Sequence, residues 1–104
     1  MRLKDSSVSL DGAKAPILHA MAVAEPIMEK WGAFTVTSVR DGKHSARSLH
    51  YVGLAMDVRI WALKEDADKT QAITELKAAL GPDYDVVLEA DHIHVEFDPK
   101  EPTA

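Results

Sequence analysis

Two short stretches alternate apolar and polar residues, and that alternation limits what the chain can become. In 92–97, Ile93, Val95 and Phe97 face one way and His92, His94 and Glu96 the other. In 54–61, Leu54, Met56, Val58 and Ile60 oppose Ala55, Asp57, Arg59 and Trp61. A period of two belongs to a half-buried strand, so each segment must lay one side on a core and turn its polar side away. The stretch 33–39, rich in Thr and Val, predicts another strand. So does 84–89, which the short Ala90-Asp91 connection joins to 92–97 as a hairpin.

Two segments have the helical period instead. Residues 13–31 carry Ile17, Leu18, Met21, Ala24 and Met28 as an inward stripe, with Pro16 in the first turn and Gly32 as the stop. Pro26 interrupts the ladder and predicts a kink. Residues 67–80 turn Ile73, Leu76, Ala79 and Leu80 inward and end at Gly81-Pro82, and the acidic run from Glu65 to Asp68 complements the helix dipole. The order α, β, loop, β, α, β, β predicts a small α+β domain: an antiparallel sheet with helices packed on one face. The other face is left to Asp57 and His94. One domain is expected over 1–104, with about 1–10 and 99–104 loosely ordered.

Composition removes several classes of function. Twelve Lys+Arg against seventeen Asp+Glu leave a net charge of −5, which opposes nucleic-acid binding and a polybasic membrane surface. No apolar run approaches the roughly 20 residues of a membrane span, and no secretory leader is visible, so cytoplasmic synthesis without membrane insertion is expected, and the protein is expected to be a monomer. With no cysteine in 104 residues, disulfides, thiolate metal sites and cysteine nucleophiles are excluded. Any metal has to be held by imidazole and carboxylate, and there are five histidines to draw on.

Two constellations carry the chemistry. The first runs Ser48-Leu49-His50-Tyr51-Val52-Gly53-Leu54-Ala55-Met56-Asp57, a loop histidine seven residues ahead of a strand carboxylate, with Gly53 allowing a bend between them. The second is Glu89-Ala90-Asp91-His92-Ile93-His94-Val95-Glu96-Phe97, where two imidazoles project from the same side of a strand. Zinc suits such imidazole and carboxylate donors. Either alone has an ordinary reading, a solvated acid or an exposed histidine pair. Their co-occurrence is what points to a metal.

Together the two segments resemble the zinc peptidases of the D-alanyl-D-alanine carboxypeptidase and L-alanyl-D-glutamate endopeptidase family, of the hedgehog/DD-peptidase fold. That family's signature is Ser-x-His-x-x-Gly-x-Ala-x-Asp with a later acid-x-x-His. Ser48, His50, Gly53, Ala55 and Asp57 match its defined positions, and Asp91 with His94 matches the second part. The resemblance covers roughly residues 33–98. It implies His50, Asp57 and His94 as ligands of a catalytic Zn2+ with an open fourth position. It further implies Asp91 as general base and Arg40 as the group that stabilises an oxyanion or holds a substrate carboxylate. Ser48 is implied to orient substrate or a ligand, and His92 and His44 to face the substrate.

Glu89 and His92 have the same acid-x-x-His spacing and form the alternative register. Asp91 and His94 are preferred because Val95-Glu96-Phe97 follows His94 as in the family's last strand. His19 is read as a structural, half-buried histidine, and Trp61 as packing at the core or an edge rather than as a substrate wall. The implied activity is hydrolysis of peptide bonds in the stem peptides of bacterial peptidoglycan, like a phage or prophage lysis enzyme released to the cell wall. Two other readings compete. One is a metal-containing binding module of the same fold without catalysis, against which Asp91 speaks. The other is a cupin-like His-x-His barrel, which two predicted helices leave too few strands to build.

Overall fold

The computed structural model describes residues 1–5, 8, 10, 13–39 and 54–99. Its elements in chain order are β1 (Arg2–Leu3), α1 (Ala15–Met28), β2 (Thr35–Ser38), β3 (Ala55–Arg59), α2 (Asp66–Leu80), β4 (Tyr84–Leu88) and β5 (His92–Phe97). The five strands make one sheet in the order β1-β2-β3-β5-β4. Three of the pairings are antiparallel, whereas β1 lies parallel to β2. The sheet is therefore mixed, not antiparallel as expected, and the α+β class stands.

The difference comes from the N-terminal residues. Arg2 donates its N–H to the Phe34 carbonyl at 2.7 Å and Lys4 donates to Val36 at 2.9 Å, which adds an edge strand. Both residues of β1 are exposed. No buried stripe announces a strand held by backbone bonds alone.

The core lies between the helices and one face of the sheet. Helix α1 contributes Ile17, Ala20, Met21, Ala24 and Met28, spaced as one stripe of a 3.6-residue helix. Helix α2 contributes Ala72, Leu76 and Leu80. Against them lie Val36, Met56, Val58, Ile60, Val86, Ile93 and Val95. The alternation in 54–61 and 92–97 thus resolves as expected at Met56, Val58, Ile60, Ile93 and Val95, whereas Leu54 and Phe97 are only half-buried and Ala55 on the other side is buried as well. The helical stripes shift slightly from their expected places: Leu18 and Ala79 are exposed, as is His19, so this histidine is not a half-buried structural residue. Leu18 follows Ile17 by one residue, about 100° around the helix, and Ala20 takes the inward place instead.

Each helix ends close to its expected stop. Gly81 has φ 85° and donates its N–H to the Lys77 carbonyl at 3.0 Å, a positive φ that favours glycine. Pro26 falls in the last turn of α1, and the helix continues through it to Met28. At the other end of α1 the Tyr84 hydroxyl donates to the Pro16 carbonyl at 2.8 Å, tying the helix to β4. No helix among the described residues is long and apolar enough to cross a membrane.

Candidate metal centre

The antiparallel register of β3 and β5 builds the site. Asp57 stands directly opposite His94, Arg59 opposite His92 and Ala55 opposite Glu96. Opposed side chains on one face of such a pair have Cβ atoms roughly 4.5–5.5 Å apart. The apolar halves of both strands are fixed in the core, so Asp57, His92 and His94 have only the outer face to occupy.

On that face the three side chains converge. His94 Nδ1 lies 2.9 Å from Asp57 Oδ1, and His92 Nε2 lies 3.5 Å from the same oxygen. One donor atom from each residue falls within 4.8 Å of the others, a grouping that can hold a metal ion. Metal–ligand bonds of about 2.0–2.1 Å in tetrahedral array place ligand atoms about 3.3 Å apart. The two distances to Asp57 bracket that value, and two imidazoles with one carboxylate are donors suited to zinc. The residues present fit such an ion.

Carboxylates hold both imidazoles from behind. His94 Nε2 lies 2.9 Å from Glu96 Oε1, and His92 Nδ1 lies 2.6 Å from Asp91 Oδ1. A carboxylate at each ring nitrogen favours the protonated form of His94. Its pKa is accordingly raised, chiefly by the hydrogen bond to Asp57, with burial opposing and Glu96 adding to the effect. A metal bound at Nδ1 would take the place of that proton, leaving Glu96 to fix the ring, the arrangement in which a carboxylate behind a ligating histidine sets its tautomer.

Of the residues singled out from sequence, Asp57, His94, His92 and Asp91 are brought together. Arg40, His44, Ser48 and His50 lie outside the described residues. His92, expected to face the substrate, is one of the three clustered donors. Asp91, expected as the general base, borders the same cavity with its side chain 87% exposed and is hydrogen-bonded to His92. Glu96 has no role assigned from sequence, although the alternation that places His92 and His94 on the outer face places it there too.

The cavity over this face has a volume of about 390 Å3 and is lined by Lys4, Thr37, Asp57, Arg59, Trp61, Asp91 and His92. Thr37 reaches it beside an irregularity in the β2–β3 register between Val36 and Ser38, and its hydroxyl donates to the Asp57 carbonyl at 3.4 Å. Trp61 is 71% exposed, so it packs in neither the core nor an edge as expected. The Arg59 guanidinium lies over its ring at 3.6 Å from the centroid. Comparison with protein-family models, curated proteins and solved structures finds no match.

Proposed function

We propose that the protein is a zinc-dependent peptidase that hydrolyses peptide bonds in peptidoglycan stem peptides, of the D,D-carboxypeptidase or L-alanyl-D-glutamate endopeptidase type. The observation that carries this reading is the convergence of Asp57, His92 and His94 on one face of the sheet, with Asp57, His92 and Asp91 bordering an open cavity. The match of Ser48, His50, Gly53, Ala55 and Asp57 to the signature of the hedgehog/DD-peptidase fold supplies the reaction class.

Asp57 and His94 are ligands in this reading, and His50 or His92 completes the set. A zinc ion held by these residues would supply an acidified water, with a pKa of about 7, and a positive charge to polarise the scissile carbonyl. The chain supplies the rest. Asp91 accepts the water's proton at a carboxylate oxygen and returns it to the leaving amine. Arg40 stabilises the negative charge that develops on the carbonyl oxygen. Glu96 keeps the His94 ring in the ligating orientation. We place this activity in lysis of the bacterial cell wall, in the manner of a phage or prophage enzyme.

A second reading, a metal-containing binding module of the same fold, is favoured by one observation: Asp91 is hydrogen-bonded to His92, as a residue that only orients a ligand would be. Zinc content and loss of turbidity of purified peptidoglycan, measured for wild type and Asp91→Ala, separate the two. The peptidase reading expects stoichiometric zinc in both and hydrolysis only in wild type. Wild type that binds zinc without hydrolysis leaves the binding module, and wild type without stoichiometric metal removes both. Zinc measured in His50→Ala, His92→Ala and His94→Ala identifies the ligand set, and loss from His92→Ala with retention in His50→Ala moves it to the cluster of 57, 92 and 94.

A further inference from the structure

Charged side chains border the candidate metal centre on two sides of the outer face. Beyond it lie Asp85 on β4 and Glu96 on β5, with Asp98 just past β5, a carboxylate group within 4.8 Å. On the opposite side lie Arg2 and Lys4 at β1, and Arg59 on β3. Among the described residues none of these three cations is paired with a carboxylate. Arg59 and Lys4 border the same cavity as Asp57 and Asp91, and Arg59 and Arg2 border the next one, so two cations reach each depression beside the cluster.

Arg59 is also prepared in orientation. Its guanidinium carbon lies 3.6 Å from the centroid of the Trp61 ring, a cation–π contact that limits its rotation. Trp61 and Arg59 stand between two adjoining depressions. One holds Lys4, Asp57, Asp91 and His92, and the other holds Arg2, Thr35 and Ala62. Stacked guanidinium with nearby ammonium is donor chemistry for a carboxylate, which Arg takes in bidentate fashion.

We propose that Arg59, stacked on Trp61 and assisted by Lys4, forms a subsite for a carboxylate of the peptide whose scissile bond lies at the metal centre. The inference rests on the peptidase reading for its substrate and on the cation cluster for its chemistry. Arg59 is two positions from Asp57, about 6.6 Å along the strand, and a peptide covers about 3.3–3.6 Å per residue. The carboxylate therefore lies within about two residues of the bond that is cut. Two sources meet that condition: a terminal carboxylate next to the bond, and the free carboxylate of a glutamyl residue beside it.

The test is equilibrium binding by fluorescence anisotropy of labelled peptides, with the protein zinc-loaded and, separately, in chelator so that metal-dependent turnover is absent. One peptide pair is acyl-L-lysyl-D-alanyl-D-alanine and its C-terminal amide. The other is acyl-L-alanyl-γ-D-glutamyl-L-lysine amide with the glutamyl α-carboxylate free or amidated. Each ratio is read within one protein sample, so partial misfolding of a variant does not imitate the effect. Wild type is expected to prefer one carboxylate peptide over its amide by roughly tenfold or more, as a charge-assisted hydrogen bond provides. The pair that shows it identifies the source. Arg59→Gln is expected to bring the ratio near one and Lys4→Gln to reduce it. No preference in wild type for either pair, or an undiminished preference in Arg59→Gln, overturns the subsite. Preference without hydrolysis in the zinc-loaded protein removes the peptidase reading alone, and hydrolysis without preference removes the subsite alone.

Discussion

His94 meets Asp57 through Nδ1 and Glu96 through Nε2, and these two contacts set opposite demands on proton and metal. In the metal-free protein the raised pKa of His94 means that protonation favours the folded state. That contribution is fully present below the ordinary histidine value of about 6.5 and is lost as pH rises through the raised value. Urea denaturation in chelator is therefore expected to give greater stability from this group at pH 6 than at pH 9, with the difference reduced in Glu96→Gln. A metal-free protein whose stability changes equally with pH in wild type and Glu96→Gln would refute it. Metal affinity runs the other way, since a ligating imidazole must be unprotonated, and it should weaken on acidification. Glu96→Gln keeps the side chain's size and removes its charge. It is expected to lower zinc affinity about 10–100-fold, read by competition with a chromogenic chelator.

The strands that carry the site are placed by their buried halves. Ile93 and Val95 flank His94 on β5, while Met56 and Val58 flank Asp57 on β3, and all four are fully buried. That part of the fold was legible from sequence because a half-buried strand writes its pleat as a period of two. The hairpin of β4 and β5 and the spans of both helices were legible for similar reasons. The pairing of Asp57 with His94 was not, since strand register is set by how the core packs and not by spacing along the chain. The edge strand β1 left no trace either, and with it went the cations at residues 2 and 4. Trp61 was misread because alternation ends with the strand at Arg59, after which the side chain is free to lie across its neighbour's guanidinium. At this level one substitution is informative: Leu76 of α2 is fully buried in the core, and Leu76→Ala is expected to cost about 2–5 kcal/mol. Chemical denaturation measures it, and a loss below 1 kcal/mol would contradict the packing of α2 on the sheet.

For the molecule as a whole, a metal held at the cluster would be linked to the fold through the same sheet. A ligand that binds only the folded state stabilises it by about 2.7 kcal/mol at a free concentration one hundred times Kd. For a domain near 100 residues each 1 kcal/mol shifts Tm by about 4–8 °C, so zinc at that excess is expected to raise Tm by on the order of 10–20 °C. Calorimetry with zinc and with chelator checks this, and equal Tm values would remove the metal from the account. Asp57 lies on β3, the middle strand of five, bonded on one side to β2 and on the other to β5. Its backbone cannot swing without breaking two ladders, so amide hydrogens there should exchange with solvent only when the entire sheet opens. The backbone that carries Asp57 is thus as stiff as the domain itself, so whatever loosens the core should loosen the cluster with it.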